Sequence, residues 1–126
     1  MKEIKSINEA KSCLSPQQIL LFMETIDTKN LSTIDFTIIA TNIVNSAKTI
    51  KDNKCVYKFA KLSNAPVEHI VNSVISKGDP FLIFGLVWNV DKKYKGDLAR
   101  AIISLNDEVW IKVFYNSHIG NSMTFE

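Results

Sequence analysis

The stretches IVNSAKTIKD (Ile43–Asp52) and IVNSVISKGD (Ile70–Asp79) begin with the same four residues and end on the same aspartate. Self-similarity at a fixed interval is the signature of a repeat architecture. Laying the 126-residue chain on itself at about 27 residues extends the match in both directions. A further partial copy, ARAIISLNDEVWIKVFYNS, follows at about 28 residues, and an earlier, longer unit begins at SPQQILLFMETI, where Ser15-Pro16 aligns with Asp79-Pro80. In this register Ile19, Val56, Ile83 and Ile111 share one column. Phe22, Phe59, Leu86 and Phe114 share a second, and Met23, Ala60, Val87 and Tyr115 a third. Columns separated by three and four residues form the buried stripe of a helix.

Each unit therefore divides into two helices. The first opens at Ser15-Pro16, Asp52, Asp79-Pro80 or Asp107, residues that cap free N–H groups, twice with proline in the first helical position. The second is expected over Thr33–Thr49, Pro66–Lys77 and Asp97–Leu105, with turns at the residues before Pro66 and around Gly96. No segment alternates apolar and polar residues between hairpin turns, so strands are not expected. The predicted fold is all-α: one domain over residues 1–126, a short α-solenoid of stacked helical hairpins. Its units cover residues 15–49, 52–77 and 79–105, with a partial unit at 107–126.

The stretch YKFAKLSNAPVEHIVNSVISKGDPFLIFGLVW resembles a helical repeat found in proteins of Firmicutes and of their phages and mobile elements. That repeat reads aromatic-x-Phe-Ala, a short turn, Ala-Pro-Ile-Glu-x-Leu, then Ile-Ile-x-x-Gly-Asp. Tyr57, Phe59, Ala60, Ala65, Pro66, Val67, Glu68, Ile70, Ile75, Gly78 and Asp79 match it position by position. The likeness covers about half of the chain well and the C-terminal third loosely, and the next unit departs from the signature with FGLV at Phe84–Val87. The motif specifies a fold and brings no catalytic residues with it. What the resemblance implies is an origin in a phage or mobile element, where small proteins often block host defence factors, CRISPR nucleases among them, by covering a functional surface.

Composition narrows the function classes. A net charge of +2 with a single arginine, Arg100, disfavours nucleic acid and phosphate, whose recognition exploits the two-pronged arginine fork. Cys13 and Cys55, the only cysteines, form no metal or redox motif and read as reduced, buried helix residues, which predicts a cytoplasmic protein. The opening stretch MKEIKSINEAKSC carries charges but no apolar core, so no secretory signal is expected. The longest apolar run, Phe81–Trp88, is far short of the roughly 20 residues a membrane helix needs, and no membrane association is expected.

Catalysis finds little to work with. The two histidines, His69 and His118, stand in no acid–base, nucleophile or metal-ligand motif, and the four glycines form no phosphate-binding loop. The expectation is a protein without catalytic residues, bound metal or cofactor, whose work is binding.

Three surfaces are candidates for that work. The stretch GDPFLIFGLVWNV raises the first, because Phe81 to Trp88 has no polar side chain, whereas a surface helix ordinarily has one polar face. The outward positions of the preceding unit, Lys54, Lys58 and Lys61, become Phe81, Gly85 and Trp88, and then Val109, Val113 and Asn116. Phe81, Gly85, Trp88, Val109 and Val113 are thus a candidate docking face for a protein partner or for a second copy of the chain, with Gly85 admitting another backbone. The alternative is cover from the chain's own ends: the segment before Ser15, or Ile119, Met123 and Phe125 of the tail. A second surface is polar, with Thr41, Asn45 and Thr49 answered by Glu68, Asn72 and Ser76 and then by Arg100 and Ser104. An Asn45, Asn72, Arg100 column would suit a nucleic-acid-binding helical repeat, with the separate basic face of Lys54, Lys58 and Lys61 as the third candidate surface, but the polar face itself carries neither stacking aromatics nor basic flanks.

Overall fold

A computed structural model describes residues 4–116, with the side chains of Phe114 and Tyr115 excepted. Their regular structure is entirely helical: α1 (Ile7–Ser12), α2 (Pro16–Thr25), α3 (Thr33–Ser46), α4 (Ile50–Phe59), α5 (Val67–Lys77), α6 (Pro80–Val87), α7 (Lys95–Ser104) and α8 (Glu108–Asn116). Single 3-10 turns at Thr28–Asn30 and Lys92–Tyr94 lead into α3 and α7.

Local chemistry places the helix ends. Ser15 accepts a hydrogen bond from the Gln18 N–H, Ser32 from that of Asp35, and Asp79 from that of Phe81, each supplying a partner to a first-turn donor. Pro16 and Pro80 follow two of these caps, where proline gives up no helical bond. α5 stops at Gly78, whose φ of 72° lies in the left-handed region that closes helices, its N–H turning back to Val74 and Ile75.

The second hairpin starts earlier than its alignment suggests. Asp52 is not the cap of α4; Thr49 is, accepting from the Asp52 N–H at 3.1 Å. The Asp52 carboxylate reaches back to the Thr49 N–H at 3.2 Å, closing a reciprocal box. Thr49 therefore belongs to the start of α4, and α3 ends at Ser46. The first helices of the hairpins begin at Pro16, Ile50, Pro80 and Glu108, so the chain does not keep one even spacing. Cys13 is also placed differently, half-buried at the end of α1, whereas Cys55 is buried in α4.

Helices two apart in sequence pack on one another. α4 lies between α2 and α6, and α3 between α1 and α5, with α5 also touching α7. Sequence neighbours pack as well, α2 with α3 and α6 with α7 inside their units and α3 with α4, α5 with α6 and α7 with α8 between units, whereas α4 and α5 of the middle unit pack mainly on other helices. Most of the columns read from the sequence meet in this core: Ile19, Val56 and Ile83 are fully buried, as are Met23, Phe59, Leu86 and Val87, whereas Phe22 and Ile111 are only half-buried and the side chains of Phe114 and Tyr115 lie outside the described residues. Phe36 of α3 meets Phe59 of α4 edge to face, with ring centroids 5.5 Å apart. Each such side chain contributes about 1.5–3 kcal/mol on burial.

Side chains also join the helices. The Asn42 amide donates to the carbonyls of Ala10 and Cys13 at 3.0 and 2.6 Å, tying the end of α1 to α3. The Lys77 ammonium donates to the carbonyls of Val44 at 2.8 Å and of Ala47. It thereby supplies donors and positive charge to the C-terminal end of α3, which carries the negative pole of the helix dipole. Burial pulls the Lys77 pKa below its ordinary value.

Two substitutions test this hierarchy by chemical denaturation. Phe59→Ala is expected to cost about 3–5 kcal/mol, as for a large aromatic removed from a tight core. Thr49→Ala is expected to cost about 1 kcal/mol through loss of the α4 cap. Equal losses at the two positions would contradict the assignment.

Candidate interaction surfaces

α6 is the helix with no polar face. Leu82, Ile83, Leu86 and Val87 point into the core. Phe81, Phe84 and Trp88, separated by three and four residues, line the opposite side. They meet α8 through an aromatic cluster. Phe81 stacks edge to face on Trp110 at 4.7 Å and 78°, Phe84 on Trp88 at 6.3 Å, and Phe84 lies 5.7 Å from Trp110. The cluster is only partly enclosed: Phe81 is 57% exposed and Trp88 50%. Val109 and Val113 on α8 are 67% and 40% exposed and continue the apolar surface.

Gly85 is not part of that outward stripe. The Tyr57 ring of α4 lies across it, and a Cβ at Gly85 would overlap the Tyr57 hydroxyl and ring, with Cε2 at 2.8 Å. The close approach that calls for glycine is therefore made by the chain itself, not by another molecule. Tyr57 Oη donates to the carbonyls of Phe81 and Leu82 at 3.2 and 3.3 Å, locking α4 onto the first turn of α6. Lys58 and Gly85 consequently do not occupy equivalent outward places: Lys58 is exposed, whereas Gly85 is half-buried with Tyr57 filling the place of its side chain. Burial, with a further push from the Asp79 carboxylate, raises the Tyr57 phenol to about 12.

Phe84 and Trp110, absent from the residues expected here, are the centre of the cluster. The spacing of Phe81, Phe84 and Trp88 is itself a cleaner helical stripe than Phe81, Gly85 and Trp88, and was the signal available. Within the segment before Ser15, α1 packs on α3 and not on the patch, and residues 1–3 lie outside the described residues. Ile119, Met123 and Phe125 lie outside the described residues, as does His118.

The polar surface is only partly gathered. Thr41 and Asn45 of α3 and His69, Asn72, Ser73 and Ser76 of α5 line an open groove of about 390 Å³. Glu68 is exposed and stands outside this lining, Thr49 sits at the start of α4, and Arg100 on α7 is exposed and paired with Asp97. The Asn45, Asn72, Arg100 column therefore does not form one groove. Lys54 and Lys58 on α4 and Lys61 in the turn after it are all exposed.

Among the described residues no three or more His, Cys, Asp and Glu side chains come together to hold a metal ion. No described helix is long and apolar enough to cross a membrane. Comparisons with protein-family models, curated proteins and solved structures find no match to the chain.

Two consequences of the Tyr57–Gly85 contact are measurable. Alanine is favoured over glycine in a helix by roughly 1 kcal/mol, whereas overpacking costs about 1–3 kcal/mol. Gly85→Ala is therefore expected to destabilise the chain but to stabilise it in a Tyr57→Ala background; the same sign in both would refute the contact. The phenol's folded pKa exceeds the unfolded value of about 10, so the folded state holds its proton longer and this contribution to stability is full below pH 10. It is lost as pH rises from 10 through 12, and Tyr57→Phe is expected to flatten that decline in unfolding free energy.

Proposed function

We propose that this chain is a non-catalytic protein-binding module, a short solenoid of hairpins in a repeat of about 27 residues, that docks a protein partner on the α6–α8 aromatic face. The observation that carries this reading is the half-exposed pair Phe81 and Trp88, standing on Phe84 and Trp110 beside Val109 and Val113. Leaving such side chains half wet forgoes roughly half of the 1.5–3 kcal/mol that full burial of a large apolar side chain contributes, and tryptophan is a favoured anchor of interfaces. Rigid presentation supports the same reading, because Tyr57 braces α6 from the opposite edge. A surface of this kind acts by occupying the partner's own surface and needs no reactive group.

The resemblance to repeats of Firmicutes, their phages and mobile elements supports a host protein as that partner, such as a CRISPR nuclease held inactive by steric occlusion. That extension rests on the resemblance alone. Nucleic acid is the weaker partner, since the sole arginine is engaged by Asp97 and the tyrosine beside the α4 lysines, Tyr57, is turned onto the Phe81 and Leu82 carbonyls.

Trp88→Lys tests the docking face. The variant is expected to keep the helical circular dichroism and unfolding midpoint of the parent while losing the protein captured by the parent from its native host, with that capture resistant to high salt. A smaller sedimentation mass for the pure variant would instead identify the partner as a second copy of the chain. Retained capture and unchanged mass, or an unfolded variant, would overturn the reading.

A further inference from the structure

The helix beside the aromatic stripe is basic. Lys48, Lys51, Lys54, Lys58 and Lys61 lie in and around α4 with Asp52 as the one acidic residue among them, and all five lysines are exposed. The Asp52 carboxylate is turned to the Lys48 and Thr49 N–H groups. None of the five ammonium groups forms an ion pair among the described residues.

Two contacts set this lysine row beside the aromatic one. Tyr57 lies across Gly85, and four residues later Lys61 lines a groove of about 380 Å³ together with Asn89, the residue after Trp88. α4 and α6 therefore run side by side in one direction. Lys54 and Lys61, three residues before Tyr57 and four after it, share its side of α4 and so border the stripe of Phe81 and Trp88. Lys93, its ammonium 5.1 Å from the centre of the Tyr94 ring, lines the same groove, where Asp91 is the one acid. The Asp91 carboxylate accepts from the Lys93 N–H at 3.0 Å. The other border, along α8, is mixed in charge, with Glu108 and Lys112 both exposed.

A partner must match both rows at once. Phe81 and Trp88 are seven residues apart, two helical turns or about 10 Å. A second helix presents its residues i and i+7 at that spacing on one face, whereas an extended strand turns residues three apart, about 10 Å, to opposite faces. The lysine row lies one helix spacing away, about 8–10 Å, close to the roughly 8 Å reach of a charge at physiological salt. We propose that the segment docking on the α6–α8 face is an acidic amphipathic helix, with apolar residues at i, i+3, i+4 and i+7 on Phe81, Phe84 and Trp88 and carboxylates toward Lys54 and Lys61. This rests on the docking face argued above and adds the chemistry and orientation of what docks there. Charges at the rim of an interface chiefly speed association and reject wrong partners, while the apolar anchors hold the complex, so capture survives high salt although its rate falls. Val109 and Val113, which extend the stripe, offer the bases of a nucleic-acid strand nothing to stack on.

The test is selection on the pure full-length chain from a phage-displayed library of helices. These carry leucine, phenylalanine or tryptophan at i, i+3, i+4 and i+7, with flanking positions drawn equally from glutamate, glutamine and lysine. The expected result is enrichment of glutamate on one flank. At low salt the association rate of these helices is expected to fall about tenfold or more in a Lys54→Glu, Lys58→Glu, Lys61→Glu variant, whose exposed positions leave the fold intact, and to recover when the flanking glutamates of the peptide are exchanged for lysine. The same loss without recovery is expected for alanine at the three positions, and Trp88→Lys is expected to abolish binding. Helices enriched without preference for glutamate, but lost with Trp88→Lys, would overturn this proposal and leave the docking face standing. Glutamate-rich helices that bind Trp88→Lys as well as the parent would overturn both. No enriched helix, an unchanged rate in the triple variant, or displacement of the helices by a single-stranded oligoadenylate would each overturn the acidic helix as occupant.

Discussion

Short helices cannot stand alone, and that constraint governs this chain. Its described helices span 6 to 14 residues, mostly below the roughly 12–15 at which isolated helices become even marginal in water. Each must therefore bury a face against helices that arrive later or earlier in the chain. Pairing helices two apart in sequence meets this need, and the fully buried column of Ile19, Val56 and Ile83 runs through α2, α4 and α6 as its result. A helix in the middle of such a stack needs apolar residues toward the neighbours before and after it, while its remaining side is free to vary.

That free side differs from hairpin to hairpin. On α4 it carries Lys54 and Lys58, while on α6 it carries Phe81, Phe84 and Trp88. The junction between these helices is made by Tyr57, which needs the missing side chain of Gly85 in order to reach the first-turn carbonyls of α6. The glycine thus serves internal packing and holds the orientation of the aromatic stripe beside it. The proposed docking face depends on this bracing, since a stripe on a loosely held helix would lose part of its binding energy to ordering.

The all-helical fold was legible because apolar spacing and capping residues agreed along the chain. Val56, Phe59 and Ala60 repeat as Ile83, Leu86 and Val87, and all six are buried. Sequence and structure part where two local signals conflict. Matching Asp52 to Asp79 put the start of α4 at the aspartate, whereas Thr49 with Asp52 three residues later is itself a capping pair. At the candidate surface, the same comparison of units carried Gly85 outward on the pattern of Lys58. Neither Tyr57 folding over Gly85 nor Trp110 reaching Phe81 from α8 is local in sequence, so only the packed helices reveal them. The α1 helix was missed for a related reason: six residues carry little periodicity, and its hold on α3 comes from Asn42 and from the Lys11–Asp35 ion pair at 2.6 Å.

The proposed docking face centres on an indole half exposed to solvent on a braced helix. With Trp110 replaced by phenylalanine, Trp88 becomes the only tryptophan of the chain, and its fluorescence reports directly on its surroundings. The free monomer is expected to emit at long wavelength with ready quenching by acrylamide, shifting blue with protection when a partner docks. Blue-shifted, quencher-protected emission from the free monomer would contradict the claim, because the indole would then already be covered by its own chain.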